Sequence, residues 1–189
     1  ATVYFAHVDL QGDMGAWQIM LANPDTGNTW TLPGTPRNSG IPSWLPGGET
    51  LAFRSNVSGR WQIYTISVDG TGLRQITDAP GNNMEAVWSP DGLQVAFVSD
   101  RDGDKEIFVM DADGGNQRQL TANGVSDDDP KWSPDGRWIV YESHEGTKTQ
   151  IYQIRPDGSG RTLLTGQGDS NSTPDWSPTG EWIAYERGS

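Results

Sequence analysis

Aspartates are the residues of this sequence whose spacing comes nearest to a metal-binding pattern. Asp100, Asp102 and Asp104 alternate along one short segment, and Asp111 and Asp113 repeat the alternation soon afterwards. Calcium takes about six to eight oxygen ligands, and a calcium-binding hand adds a glutamate farther along, so these segments match only in part. We therefore expect the carboxylates to bond backbone amides in turns. A calcium-binding module remains an alternative.

The residue types that enzymes use as nucleophiles and bases form no catalytic pattern here. The chain has no cysteine, and no Gly-x-Ser-x-Gly run marks a nucleophile elbow. Its two histidines, His7 and His144, lack the spacing of a zinc-protease motif, and we expect His144 to be a solvated residue of a loop. The sequence thus predicts no catalytic residue, no metal site and no cofactor.

A long repeat determines where these residues lie in the fold. Short apolar runs, such as those at 94–99 and 106–110, alternate with segments rich in Gly, Pro and Asp. Such runs are typical of strands, and no stretch keeps a helical period. Tryptophan recurs every 44 residues, followed by a turn sequence, at Trp44, Trp88, Trp132 and Trp176.

The repeat length predicts the fold. Four short antiparallel strands in about 40–45 residues are typical of one propeller blade; we name them A, B, C and D in chain order. Four copies fill residues 14–189, and residues 1–13 add an N-terminal strand at Thr2–Val8. We predict one domain over residues 1–189, an all-β β-propeller of four 44-residue, four-stranded blades. The alternatives are an arc of a larger propeller and half of a ring made by two chains.

The repeat resembles that of the TolB-like β-propeller family. The resemblance covers residues 14–189 and is carried by the segments Trp88-Ser-Pro-Asp-Gly and Glu106-Ile-Phe-Val-Met-Asp-Ala-Asp-Gly-Gly-Asn116. It implies a noncatalytic scaffold of bacterial type that lies outside the cytoplasm and binds a protein partner. The accessory propeller of a prolyl-oligopeptidase-like serine peptidase and a carbohydrate-binding module are the alternatives.

Charge and hydropathy narrow the classes of partner. A formal net charge of −12 argues against nonspecific binding to nucleic acid or anionic membranes. No apolar run reaches the length that a membrane helix needs, so we expect no membrane insertion. The expected partner is a protein or peptide at the mouth of the propeller channel. An unpaired terminal strand would also allow two copies of the chain to associate.

The segments that join strand D to the next strand A are the predicted recognition surface. They differ between copies, whereas the A–B and C–D turns are nearly uniform. Variable loops on a rigid scaffold commonly carry binding. The predicted partner contacts are Asn83, Glu85, Asp127, Asp129 and Asn171.

Overall fold

The computed structural model describes residues 2–7, 17–166 and 168–188, with the backbone alone for residues 2–7. All regular structure among these residues is β-strand, which confirms the all-β prediction. No helix within the described ranges is long and apolar enough to cross a membrane. The strands, in chain order, are β1 Thr2–His7, β2 Trp17–Ala22, β3 Thr29–Thr31, β4 Ser39–Trp44, β5 Thr50–Ser55, β6 Gln62–Ser67, β7 Arg74–Gln75, β8 Asn83–Trp88, β9 Gln94–Ser99, β10 Glu106–Asp111, β11 Arg118–Gln119, β12 Asp127–Trp132, β13 Ile139–Glu145, β14 Lys148–Ile154, β15 Thr162–Leu163, β16 Ser170–Trp176 and β17 Ile183–Gly188.

Consecutive strands pair antiparallel into the blades of a β-propeller. Strands β4 to β7, β8 to β11 and β12 to β15 each form a four-stranded sheet in simple sequence order, so each is one A-B-C-D repeat. The N-terminal strand β1 pairs with β2, beside β3, and the chain's last described pair is β16 with β17. Val8 and residues 9–13, which also belong to the predicted N-terminal segment, lie outside the described residues. The single domain and the ring arrangements remain predictions.

The chain divides into two compact units, residues 1–86 and 87–189, each with its own apolar core. In the first unit Ile19, Leu51 and Phe53 are fully buried in one cluster. In the second, a cluster from neighbouring blades contains Val98, Ile107, Ile139 and Tyr141. Burial of these strand residues is the main favourable contribution to folding, at about 25 cal/mol for each Å² of apolar surface.

An aromatic pair recurs on strands B and C of successive blades, directly across the ladder. Phe53 faces Tyr64 with ring centroids 5.8 Å apart. Tyr141 faces Tyr152 in the same way at 6.0 Å. Cross-strand aromatic pairs stabilise a sheet and fix its register, so the repeated aromatic residues keep the blades alike.

The Ser-Pro-Asp-Gly segments form identical A–B turns. The hydroxyl of Ser89 donates to Asp91 Oδ1 at 2.6 Å, and the amide of Gly92 donates to the carbonyl of Ser89. Gly92 has φ +71°, which a residue with a Cβ adopts only at a cost. The hydrogen bond from Ser89, followed by that from the Leu93 amide, lowers the pKa of Asp91. Ser133 and Asp135 repeat the bond at the next turn.

Trp132 joins two successive blades within the second unit. Its side chain is 8% exposed, and its indole Nε1 donates to the carbonyl of Val87, 3.0 Å away on the preceding strand A. The ring packs in the cluster with Val98, Ile107 and Ile139. Trp88, the equivalent residue one repeat earlier, is buried as well.

Replacing Trp132 tests how much this packing contributes to the stability of the fold. We expect Trp132→Ala to lower the free energy of unfolding by about 3–5 kcal/mol, as for other large buried aromatic residues. Trp132→Phe, which keeps much of the ring volume and loses the hydrogen bond to Val87, should cost clearly less. Denaturant unfolding followed by fluorescence measures both. A loss below about 1 kcal/mol for the alanine variant would contradict the packing described.

Candidate functional site

Three strands A carry a bulge near their starts. The ladder of β12 with β13 shifts register between Asp128 and Lys131, and β4 and β16 shift at the equivalent places. One non-glycine residue at this position of each strand A, β8 included, has φ between +48° and +54°. These residues are spaced by 44 and are Ile41, Glu85, Asp129 and Thr173. Such backbone strain is often found at functional sites.

Two of the five predicted contacts, Glu85 and Asp129, are among these residues. Burial lowers the pKa of Arg54, and the negative charge of nearby Glu85, in the first unit, partly offsets that lowering. Asp129, in the second unit, forms an ion pair with Lys131 and has a side chain that is 33% exposed. Both are only partly buried and so remain accessible to a binding partner.

The other three predicted contacts, Asn83, Asp127 and Asn171, are buried at the first residues of strands A. The Asn83 amide nitrogen donates to Gln62 Oε1 at 3.0 Å, which ties the start of strand A to strand C of the preceding blade. Thr77 donates its hydroxyl to the same oxygen and accepts the backbone amide of Ile63. Asn83 is therefore part of an internal polar clamp.

The same clamp recurs in the second unit. Gln150 Oε1 accepts the hydroxyl of Thr165 at 2.7 Å and the amide of Asn171 at 3.2 Å. Thr165 Oγ1 in turn accepts the backbone amide of Ile151. Strand D ends after two residues and therefore offers no acceptor to the next backbone amide of strand C. The threonine hydroxyl accepts that amide instead.

Two carboxylates replace the amides in the remaining clamp. Glu106 accepts the Thr121 hydroxyl at 2.5 Å and the Asn123 backbone amide at 3.1 Å, and Asp127 stands where the other two clamps have asparagine. Burial raises the pKa of Glu106, and the charges of Asp127 and Asp104 raise it further against the hydrogen bonds from Thr121 and Asn123. Burial likewise raises the pKa of Asp127.

A cavity of about 290 Å³ opens at the strand ends of the first unit, lined by Trp17, Gly40, Ile41, Arg54 and Trp61. The guanidinium carbon of Arg54 lies 4.7 Å from the centre of the Trp61 ring. Burial lowers the pKa of Arg54, and its buried Nε has no hydrogen-bond partner among the described residues. Sequence reasoning missed this site, although Trp17 and Trp61 share one repeat position and are exposed or half-buried there.

The corresponding strand ends of the second unit bring together Asp128, Glu142 and His144. Their ligand atoms all lie within 4.8 Å of one another. His144 lies on β13 and not in a loop as predicted, because β13 and β14 pair as far as Glu145 and Lys148. The side chain is only 40% exposed, with Nε2 2.9 Å from Asp128 Oδ1.

The acidic segments considered for calcium are bonded within the protein. Asp113 Oδ1 accepts the amide of Gly115 at 2.9 Å, and Asp111 Oδ2 accepts the side-chain amide of Asn116 at 2.6 Å. Asp102 Oδ2 accepts the side-chain amide of Gln119. The bond of Asp113 is the backbone bond in a turn that the sequence predicted. Asp111 and Asp102 accept side-chain amides instead.

Comparison with known families identifies the propeller. The family model of the TolB beta propeller domain matches residues 4–126 and 101–189. The chain belongs to this family. No protein of curated function matches the sequence.

Solved structures of TolB proteins have the same fold. A protein assigned as TolB from Agrobacterium tumefaciens superposes with a TM-score of 0.78 at 23% identity, over 98% of this chain and 70% of that one. TolB from Acinetobacter baumannii superposes with a TM-score of 0.73 at 26% identity, over 89% and 42%. The chain therefore spans less than half of the second protein's length.

Enzymes with propeller domains are also similar to this TolB-family chain. Dipeptidyl peptidase 4 from Porphyromonas gingivalis superposes with a TM-score of 0.65 at 16% identity, over 90% of this chain and 26% of that one. At this identity the likeness concerns the fold alone.

The carboxylate clamp makes stability depend on pH. A folded-state pKa of Glu106 above its unfolded value means that stability falls as pH rises from about 4 through the raised value. We expect Glu106→Gln, which copies Gln62 and Gln150, to add about 1 kcal/mol at pH 7. It should add little at pH 3, where the carboxyl is protonated in both states. Unfolding curves at the two pH values measure this, and an equal effect at both would contradict the shifted pKa.

Proposed function

We propose that this chain is a noncatalytic TolB-type scaffold, working outside the cytoplasm, that binds a protein or peptide partner through the ends of its blades. The observation that carries the proposal is the cavity lined by Trp17, Arg54 and Trp61. Tryptophan and arginine are the residues that most often dominate protein–protein binding energy. At about 290 Å³, the cavity has room for one large side chain of a partner.

The chemistry of the lining indicates what the partner presents. The indoles of Trp17 and Trp61 offer apolar faces, which suit an aromatic or aliphatic side chain. The guanidinium group of Arg54, which lines the cavity, suits a carbonyl or carboxylate oxygen next to that side chain. We therefore propose that the partner inserts one apolar residue and bonds Arg54 through its main chain or an acidic neighbour.

The five residues predicted from the sequence enter this proposal in two ways. Glu85 and Asp129 reach the surface and would contact the partner directly, with basic or amide groups as the complementary chemistry. Asn83, Asp127 and Asn171 are buried and would act by holding the strand ends in place. A lysine at position 127 would bury a charge, so Glu85 and Asp129 are better sites for charge reversal.

Matched tryptophan variants test the cavity. A phage-displayed peptide library selected on the immobilised chain supplies the probes. We expect Trp17→Ala and Arg54→Gln to weaken the selected peptides at least tenfold. Trp30→Ala is the control, because Trp30 belongs to the same unit and is 43% exposed, close to the 46% of Trp17, but lies outside the cavity lining.

Three results would overturn or redirect the proposal. Equal binding by parent, Trp17→Ala and Arg54→Gln chains would exclude the cavity as the binding site. Binding on a glycan array that disappears in Trp17→Ala would favour the carbohydrate module instead. Peptidase activity of the purified full-length native protein would favour an accessory propeller of a serine peptidase instead.

A further inference from the structure

The second unit has a cluster of three side chains that the partner-binding proposal does not use. Asp128, Glu142 and His144 lie on the paired strands β12 and β13, where Asp128 is opposite Glu142 and His144 lies two residues beyond it. Glu142 and His144 therefore share one face of the strand. Two carboxylates and an imidazole at the end of one ladder are a ligand set for a divalent metal.

The three ligand atoms converge on one point. His144 Nε2 is 2.9 Å from Asp128 Oδ1 and 3.8 Å from Glu142 Oε2. Atoms that share a metal at about 2.0–2.1 Å lie roughly 3.0–3.4 Å apart, so a metal needs only small shifts of these side chains. His144 is 40% exposed, which leaves a route for the ion and a coordination position for water.

The atoms of these side chains that point away from the cluster are held by other groups. Thr149 Oγ1 lies 3.1 Å from His144 Nδ1, and the Thr173 backbone amide donates to Glu142 Oε1 at 2.5 Å. Lys105 donates to Asp128 Oδ2 at 2.7 Å. Metal-binding sites commonly fix their ligands by outer bonds such as those of Thr149 and Thr173. The Lys105 bond differs, because it places a positive charge beside the proposed site. Nε2–H of His144 donates to Asp128 Oδ1, since a carboxylate only accepts. A metal ion bound at Nε2 would replace this proton, and Nδ1–H would then donate to Thr149 Oγ1.

We propose that Asp128, Glu142 and His144 bind a first-row divalent transition-metal ion, with Zn²⁺ the best match. The imidazole favours Zn²⁺ over Ca²⁺ or Mg²⁺, which prefer oxygen ligands alone. The two carboxylates neutralise the charge of the ion. Lys105 competes with the ion for Asp128, because its ammonium group already neutralises part of that carboxylate's charge.

The site differs from its counterparts in the other blades. Residues 44 and 88 positions earlier in the chain are Met84, Val98 and Asp100, and Gly40, Arg54 and Asn56. Neither set supplies an imidazole or a second carboxylate, and nor do the residues 44 positions later, Ser172, Glu186 and Gly188. The proposal is therefore specific to the third repeat, and one metal ion per chain is expected.

Calorimetric titration of tag-free, EDTA-dialysed protein with ZnCl₂ tests the site. We expect one Zn²⁺ per chain, and at least tenfold weaker binding by His144→Gln and Glu142→Gln. His7→Gln, which removes the other histidine of the sequence, should leave the affinity unchanged. Co²⁺ should give visible absorption bands with the parent chain that His144→Gln abolishes.

A variant with the opposite expected effect separates ligand loss from misfolding. Lys105→Gln removes the competing ammonium group, so it should tighten Zn²⁺ binding several-fold, a gain that partial unfolding cannot produce. Absence of stoichiometric binding, equal affinity in His144→Gln, or weaker binding by Lys105→Gln would each overturn the proposal. Ca²⁺ bound as tightly as Zn²⁺ would also overturn it, because the imidazole would then have no part.

Discussion

Much of this fold depends on how strand D stops. Strand D pairs with strand C over two residues only, as at β11 and β15, and the next amide of strand C needs another acceptor. A threonine hydroxyl supplies it in each of the three clamps, accepting from Ile63, Ile107 or Ile151. The threonine hydroxyl in turn donates to the side chain at position 62, 106 or 150. That side chain also lies beside the start of the following strand A. One backbone amide thus links the end of a blade to the start of the next.

The clamp lies close to the bulge. In three copies strand A is held at or next to its first residue, two residues before the residue with positive φ. Ile41 has a similar φ without a clamp, since Pro33 stands in place of the threonine. At the third repeat, the next blade's bulge amide, that of Thr173, is the group that holds Glu142. At the first, the bulge residue Ile41 lines the cavity with Arg54. The same backbone geometry therefore lies beside a cation, Arg54, in one repeat and beside a carboxylate, Glu142, in another.

The repeat made the fold predictable, whereas the candidate sites required knowledge of contacts between strands. Recurrence of Trp88 and Trp132 and the turn chemistry at Ser89–Gly92 fix strand number, order and approximate bounds. Asn83, Asp127 and Asn171 were predicted to contact a partner because the segments that join strands D and A differ between copies. The two asparagines are buried because Gln62 and Gln150 accept their amides. Asp127 is buried because Asn123 bonds its carboxylate. The strand-to-strand pairing with Gln62 and Gln150 is not revealed by any local pattern. His144 was predicted to lie in a loop because the sequence does not show how short the connection between β13 and β14 is. The two strands pair as far as Glu145 and Lys148.

The clamp has a consequence for how such chains can be cut and rejoined. Because Gln62 binds Asn83 across the junction between blades, a new terminus placed between those residues would separate the two halves of a buried polar pair. A terminus in the B–C connection between Ser55 and Gln62 would leave every clamp on a continuous segment. Gene duplication, circular permutation and the design of longer arrays from this repeat should therefore use modules that begin at strand C and end at strand B.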